Sequence, residues 1–281
     1  MIIGKNTKKE TAMVYDIVVF SGQSNMQGQS DRLTESKEVK GAFEYKMLTG
    51  TFAPLKNPVG EDVRPDGSEG CRVRPDTDGE AWVAAHALGS ACYGNTNLVP
   101  EFCRAYIRKT GRSVAAVSAA KGSTEIEYWM KGNLGYEFLV RKTLAARAAL
   151  EKSGAETGDV YVVWLQGESD AIFQKKRADY LEKLSRLAGD LKKDIGMKRF
   201  GIIKVGRFTG DARDDEIIGA QEDAAEKYPE TFIMLSETAE KMGGMPGMMH
   251  PTIGGHYSAK GLEFLGKEAG ESLGDFANNS N

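Results

Sequence analysis

A strand-like run followed by a serine occupies residues 17–29, with the sequence IVVFSGQSNMQGQ. Ser24 comes just after the apolar part of this run. A serine just past the carboxyl end of a central strand can project its Oγ into a crevice, where nearby backbone N–H groups can bind an oxyanion. Ser24 is therefore a candidate nucleophile. An ordinary serine at the start of a helix fits the same segment equally well.

A second segment, residues 161–171 with the sequence YVVWLQGESDA, repeats this arrangement. Here Gln166, Glu168 and Asp170 cluster where the strand pattern ends. Partly buried carboxylates are costly unless they are paired, so either acid is a candidate to orient a histidine. The alternative is that Glu168 is solvated and that Asp170 caps the following helix, which for Asp170 is at least as good an interpretation.

The chain contains three histidines, His86, His250 and His256. A base that titrates near neutral pH is expected to come from this set. His256 lies in a glycine-containing loop directly before a predicted helix. A lone histidine is more often structural than catalytic, but the order serine, acid, histidine along an α/β chain favours His256 as a base.

A fourth polar segment, residues 117–129, leaves another predicted strand through Gly122. The N–H of Gly122 is a candidate second oxyanion donor beside that of Ser24, and the side-chain amide of Gln166 is a candidate third. Gly122 could equally be a plain turn residue.

These segments lie within an alternating pattern of strands and helices. Nearly continuous apolar runs indicate buried parallel strands at residues 14–20, 113–119, 160–165, 200–205 and, more weakly, 231–235. Helical patterns lie between and after them, at residues 99–109, 134–153, 173–195, 214–227 and 258–273. This alternation predicts an open α/β sheet with helices on both faces and a ligand crevice at the carboxyl ends of the strands.

The length of 281 residues predicts one domain with insertions. Residues 57–97 interrupt the strand and helix pattern with many Gly, Asp and Arg residues. We expect this stretch to be an irregular insertion over the site, within a single domain that spans residues 1–281.

Charge, cysteine content and hydropathy argue against several classes of partner and site. The chain has 37 basic and 40 acidic residues and no basic stripe, so we expect no nucleic-acid partner. The three cysteines, Cys71, Cys92 and Cys103, predict neither a disulfide framework nor a zinc site. We expect no membrane span and, since no leader pattern precedes the first strand, a cytoplasmic protein unless a leader has been removed.

Three motifs together resemble the SGNH hydrolase superfamily. They are GQSNM at residues 22–26, QGESD at residues 166–170 and HxSxxG at residues 256–261. Within that superfamily, they are similar in type and order to the branch of sialate O-acetylesterases and acetylxylan esterases, carbohydrate esterase family six. The resemblance implies a flavodoxin-like three-layer α/β sandwich with a five-stranded parallel sheet. It also implies deacetylation without a metal or another cofactor.

The resemblance also implies roles for individual residues. Ser24 would be the nucleophile and His256 the base, while Gly122 and Gln166 would complete the oxyanion hole with the N–H of Ser24. Many SGNH enzymes carry an aspartate three residues before the histidine, where this chain has Ile253. Some members of the branch use the glutamate of the QGE motif instead. We therefore expect Glu168 to accept a hydrogen bond from Nδ1 of His256, and Asp170 to cap a helix.

The substrate that the resemblance implies is an acetylated carbohydrate of the xylan or sialic acid type. Gln23, Asn25 and Trp129 are weak candidates for substrate contacts. Trp82, Tyr128 and Trp129 are candidates for stacking on a sugar, although such aromatic residues lie more often in a core.

Three other functions remain possible. A lipase-like SGNH esterase would act on other small esters. A catalytically silent sugar-binding module would explain the missing aspartate, but the chain retains Ser24, Glu168 and His256. A nucleotide or flavin binder is disfavoured because neither GxGxxG nor GxxxxGK[ST] occurs.

Overall fold

Seven strands form the central sheet of the computed structural model, which describes residues 13–31, 35–47, 49–60, 62–63, 69–71 and 96–280. In chain order the described strands are β1 (Val14–Gly22), β2 (Ala42–Lys46), β3 (Thr51–Pro54), β4 (Asp62–Val63), β5 (Glu69–Cys71), β6 (Ser113–Ala120), β7 (Glu156–Leu165), β8 (Arg199–Ile203) and β9 (Phe232–Ser236). The central sheet has the order β3-β2-β6-β1-β7-β8-β9, and β4 pairs with β5 in a separate antiparallel ribbon.

Helices connect and flank these strands. The α-helices of the described residues are α1 (Ser24–Gln27), α2 (Val99–Thr110), α3 (Leu134–Lys152), α4 (Glu168–Ile172), α5 (Arg177–Ile195), α6 (Ala212–Lys227) and α7 (Ala259–Asn279). Short 3₁₀ helices span Ile126–Trp129 and Thr238–Gly244. The predicted α/β class with helices around a parallel sheet is confirmed.

Two hydrophobic clusters cover the two faces of the sheet, which gives three layers. Ile17 and Val19 of β1 pack with α3, α5 and α6, whereas Val18 and Phe20 pack with α2 and α7 on the opposite face. Successive side chains of a strand point to opposite faces. A strand that is covered on both sides must therefore be apolar at every position, which is why the sequence shows an unbroken apolar run.

The expected number of five parallel strands is wrong, because β2 and β3 extend the sheet to seven strands. β2 pairs parallel to β6, and β3 pairs antiparallel to β2 at the edge. The sequence of β2, AFEYK, contains charged residues and lacks the continuous apolar pattern of a central strand. Its buried Glu44 is tolerated because Oε1 accepts a hydrogen bond from the N–H of Gly60 at 2.8 Å and Oε2 binds Nζ of Lys46 at 2.6 Å.

The helix that the sequence predicts over residues 173–195 is α5, which begins at Arg177, and the separate helix α4 before it was not predicted. The chain leaves β7 into the one-turn helix α4 and then into α5, and Gln174 between them has a φ of 63°. Glu168 and Asp170 consequently lie inside a short helix rather than ahead of one.

Most of the expected insertion at residues 57–97 lies outside the described residues, as do Trp82, His86 and Cys92. The single-domain organisation stays a prediction. Cys103 is buried with a free thiol, and burial raises its pKa. Within the described ranges, no helix is both long enough and apolar enough to cross a membrane.

The strand order brings the polar segments together. β1 lies between β6 and β7, and Gly22 is in register with Ala120 on one side and with Leu165 on the other. All three strands are parallel, so the segments that follow them begin at one edge of the sheet. This edge is the crevice that an open α/β sheet offers to a ligand.

Candidate active site

The turn that carries Ser24 depends on a close approach of two backbones. Gly22 has a φ of +146°, and a Cβ on it would lie 2.0 Å from the carbonyl oxygen of Leu165. That same oxygen accepts a hydrogen bond from the N–H of Gln23 at 3.1 Å. Only glycine fits this position. The turn starts α1 at Ser24, which is 5% exposed.

Ser24 and His256 are in direct contact. Oγ of Ser24 lies 2.9 Å from Nε2 of His256, and Nδ1 of the same ring lies 3.0 Å from the carbonyl oxygen of Gly254. A carbonyl oxygen can only accept, so Nδ1 carries the proton and Nε2 presents its lone pair to the Ser24 hydroxyl. This tautomer is the one that a general base requires.

The surroundings of His256 favour its neutral form. Burial lowers the pKa of the imidazole below its ordinary value of 6.5. The ring of Phe208 packs edge-on against the imidazole, with 5.9 Å between the centroids. Phe208 also fills the space beside Gly255, which has a φ of +71° and whose added Cβ would lie 2.1 Å from the Phe208 ring. An unprotonated base is therefore available at neutral pH.

The expected hydrogen bond between Glu168 and Nδ1 of His256 is absent, and this expectation is corrected. Glu168 Oε1 instead accepts a hydrogen bond from Nδ2 of Asn25 at 2.7 Å, and among the described residues Oε2 has no partner. The carbonyl of Gly254, on the histidine's own loop, takes the place beside Nδ1. Glu168 is 2% exposed, and burial raises its pKa.

Two of the three expected oxyanion donors already donate hydrogen bonds within the protein. The N–H of Gly122 donates to Oε1 of Gln27 at 2.9 Å. Nε2 of Gln166 donates to the carbonyl of Thr124 at 2.8 Å, and Gln166 is fully buried. Ser24 is the first residue of α1, so the helix itself provides no acceptor for its N–H. Of the three expected donors, the Ser24 N–H is the one best placed to meet an oxyanion.

The three weak candidates for substrate contacts lie in the interior. Gln23 is 3% exposed, and its Oε1 accepts from the N–H of Ser169 at 3.2 Å. Asn25 is 1% exposed, and its amide is fully used inside the protein. Trp129 is 1% exposed, belongs to a hydrophobic cluster and donates to Oγ1 of Thr124 at 3.1 Å. Each of the three is therefore buried and has a polar partner within the protein.

Asp170 is not a helix cap, because it is the third residue of α4. Its carboxylate accepts from the N–H of Ile126 at 3.1 Å and from Nε2 of Gln166. Nζ of Lys175 lies 3.5 Å away. Burial raises the pKa of Asp170 to about 7. Asp170 thus ties α4 to the 3₁₀ helix that begins at Ile126.

One carboxylate cluster among the described residues has the spacing of a cation site, and it contains Glu125, Glu127 and Asp170. The ammonium group of Lys175 lies 3.4 Å from Glu125, 2.5 Å from Glu127 and 3.5 Å from Asp170. This cluster is therefore already paired with a cation from the chain itself.

Sequence reasoning missed three contributors to the site. Gln27 lies only three residues after Ser24, directly after the GQSNM motif, and its polar type was an available signal. Phe208 follows β8 on a neighbouring strand end, which was a weaker signal. Gly254 acts through a backbone carbonyl, which no residue type reveals.

Comparisons with known proteins place the chain among carbohydrate esterases. The family model of carbohydrate esterases described as sialic acid-specific acetylesterases matches residues 14–272. A protein of Arabidopsis thaliana named as a probable carbohydrate esterase is 26% identical over 209 residues, which are 73% of this chain and 74% of that protein.

Solved structures show the same fold. A protein from Arabidopsis thaliana gives a TM-score of 0.62 at 19% identity, over 93% of this chain and 98% of the other. A carbohydrate acetylesterase from Xanthomonas citri gives a TM-score of 0.54 at 16% identity, over 94% of this chain and 57% of the other.

The family match spans all three motifs and both members of the pair formed by Ser24 and His256. It covers most of the chain. The protein therefore belongs to the sialic acid-specific acetylesterase family of carbohydrate esterases, a branch of the SGNH hydrolases that act on esters.

Proposed function

We propose that this protein is a carbohydrate O-acetylesterase that works through an acetyl-enzyme on Ser24. The observation that carries the proposal is the distance of 2.9 Å between Oγ of Ser24 and Nε2 of His256. Membership of a carbohydrate esterase family supports an ester of a sugar as the substrate.

The reaction would proceed in two acyl transfers. Nε2 of His256 takes the proton of the Ser24 hydroxyl as Oγ attacks the acetyl carbonyl carbon, which gives a tetrahedral oxyanion. The oxyanion collapses, the bond to the sugar oxygen breaks, and that oxygen receives the proton from His256. Water, deprotonated by the same imidazole, then attacks the acetyl-enzyme and releases acetate and free Ser24.

In this mechanism the N–H of Ser24 would be the first oxyanion donor. The N–H of Gly122 would serve as a second donor only when Gln27 Oε1 moves away from it. Gln166 would not contact the oxyanion. It would support the site indirectly, because its Nε2 donates to the carbonyl of Thr124 and to the carboxylate of Asp170. Each direct donor that is lost typically lowers kcat by ~10²-fold or more.

The acid that orients His256 in many esterases would be replaced by the Gly254 carbonyl. This oxygen selects the correct tautomer through its bond to Nδ1. It carries no net charge, so it stabilises the imidazolium less than a carboxylate would. Glu168 would act on the site through its hydrogen bond with Asn25 rather than by contact with His256.

The substrate would be an acetylated xylan or an acetylated sialic acid. The description of the matching family supports the sialic acid type, and the Xanthomonas citri relative supports carbohydrate acetates in general. A lipase-like esterase remains the alternative. A silent sugar-binding module is disfavoured because Ser24 and His256 are already in hydrogen-bonding contact.

Acetate release from a panel of substrates tests this proposal. The panel contains acetylated xylo-oligosaccharides, O-acetylated sialic acids, and aryl esters with acetyl and octanoyl chains. We expect a sugar acetate to give the highest kcat/KM. Preference for the octanoyl ester would favour the lipase-like alternative, and no turnover of any member would contradict the esterase.

A further inference from the structure

The side chain of Asn25 joins three segments that are distant in sequence. Its Nδ2 donates to Oε1 of Glu168 at 2.7 Å and lies 3.3 Å from the carbonyl oxygen of Gly255. Its Oδ1 accepts from the N–H of Tyr257 at 3.2 Å. Gly255 and Tyr257 are the two neighbours of His256 in the chain. Both ends of one amide thus hold the backbone on both sides of the imidazole.

We infer that Asn25 is a positioning residue that holds the His256 loop in register with Ser24, and that Glu168 sets the orientation of its amide. This inference rests on the proposed function, since it assigns how the proposed base is held. Ser24 and Asn25 are adjacent in the chain. Any shift of the loop relative to Asn25 is therefore also a shift of the imidazole relative to the Ser24 hydroxyl.

The hydrogen bond at Nδ1 of His256 does not hold the loop in place. Nδ1 of His256 bonds to Gly254, which belongs to the same loop and moves with it. Position 253, three residues before the histidine, is isoleucine and is 44% exposed. The bond at Nδ1 therefore sets the tautomer of the ring but does not attach the loop to the sheet. Asn25 supplies an attachment at the two residues that flank the imidazole.

Glu168 decides which way the amide of Asn25 points. Oε1 of Glu168 is the acceptor in this contact, so it selects the donor Nδ2 as its neighbour. Oδ1 is then directed to the N–H of Tyr257, which needs an acceptor. A reversed amide would set its oxygen against the carboxylate and its NH₂ group against the Tyr257 N–H. The buried position of both side chains makes such a mismatch costly.

A role in binding substrate does not fit these observations. Asn25 is 1% exposed, and each polar atom of its side chain already has a partner inside the protein. Two of its three contacts instead go to the peptide units that flank His256, and the third goes to Glu168. A misplacement of ~1 Å in a catalytic group can lower the rate by ~10²-fold.

The test uses Asn25→Asp, Glu168→Gln and the double variant. Asn25→Asp places a second carboxylate against Glu168 and removes the donor, so kcat for an aryl acetate should fall by ~10²-fold with little change in KM. Glu168→Gln retains an acceptor for Nδ2 and should lose about tenfold or less. In the double variant the new amide at position 168 can donate to the new carboxylate at position 25, so kcat should recover about tenfold over Asn25→Asp.

Two measurements separate positioning from folding. The melting temperature reports stability, and titration of Ser24 with an aryl phosphonate counts competent sites, so that kcat is expressed per site. Asn97→Asp is the matched control, because Asn97 is also 1% exposed and its Nδ2 has no partner among the described residues. This control should keep wild-type kcat per site.

The outcomes that would overturn the inference are specific. A raised KM with unchanged kcat in Asn25→Asp would make Asn25 a substrate ligand. A lowered melting temperature with unchanged kcat per site would make it merely structural, and a double variant no better than Asn25→Asp would remove the coupling with Glu168. If wild type releases no acetate, the proposed function fails. The positioning role can still be tested by the rate at which the aryl phosphonate reacts with Ser24, because equal rates in wild type and Asn25→Asp would refute it.

Discussion

Oγ of Ser24 and Nε2 of His256 lie 2.9 Å apart although 232 residues separate the two in the chain. Ser24 starts the helix that follows the central strand β1, and His256 lies in the loop before the last helix. Their contact therefore depends on how the loop is held against the carboxyl edge of the sheet. Changes to Ser24, to the loop that carries His256 and to the buried Asp170 should consequently differ in their effects on activity and stability.

Ser24→Ala should abolish hydrolysis of an aryl acetate and leave the fold intact. Removal of the nucleophile leaves only binding and oxyanion stabilisation, so the rate should fall by ~10³-fold or more. Initial rates and the melting temperature measure the two effects. A variant that keeps more than about a tenth of the wild-type rate would contradict the assignment.

The acidic limb of the pH profile of kcat/KM should lie below pH 6.5, the ordinary pKa of histidine, because burial lowers the pKa of His256. Nε2 accepts the Ser24 proton only when it is unprotonated, so activity is lost as the pH falls through the lowered pKa. The unfolded chain binds this proton more readily, so stability also falls as the pH drops below 6.5.

Phe208→Ala provides the control for this profile. The ring of Phe208 packs on the imidazole, so its removal should hydrate His256 and move the acidic limb upward. A wild-type limb above pH 6.5, or an unchanged limb in Phe208→Ala, would argue against burial as the cause.

Gly255→Ala should reduce kcat/KM by about tenfold or more, because the new Cβ would lie 2.1 Å from the Phe208 ring and must displace the histidine loop. Gly210→Ala is the matched control. Gly210 has a similar φ of +77° but no atom within 4 Å of the added Cβ, so it reports backbone strain alone. Equal losses in both variants would show that strain, and not the contact with Phe208, limits activity.

Asp170→Asn should lower the free energy of unfolding by ~1–3 kcal/mol, since an NH₂ group would replace Oδ1, which accepts from the N–H of Ile126 and lies 3.5 Å from Nζ of Lys175. Urea denaturation measures this change. Asp211→Asn is the control, because Asp211 is an exposed cap of α6 and asparagine caps a helix equally well. Equal stability of wild type and Asp170→Asn would remove the structural role of Asp170.

Chelation with EDTA should leave acetate release unchanged. In the part of the chain that the structure describes, the carboxylates with cation-site spacing are Glu125, Glu127 and Asp170, and Lys175 already lies among them. Inactivation by EDTA that a divalent ion reverses would overturn the proposed mechanism.

The sequence alone predicted much of the fold, and it singled out Ser24 and His256, which the structure brings into contact. The five strands that the sequence predicted are covered on both faces, so each shows an apolar run that can be recognised without knowing its neighbours. The polar residues after β1 and β7 stand out against these runs. β2 and β3, which extend one side of the sheet, were missed because neither is apolar throughout, and the buried Glu44 of β2 is tolerated through its pairing with Lys46.

Only the tertiary structure decided which groups contact each other at the site. The acceptor beside Nδ1 of His256 is a backbone carbonyl of Gly254, and every residue type carries such a carbonyl. The N–H of Gly122 is engaged by Gln27, 95 residues earlier in the chain, and Glu168 bonds to Asn25 rather than to the histidine. Residue types limit which bonds are possible, but the packing of distant segments selects among them, because a hydrogen bond forms only within about 3 Å and with correct direction.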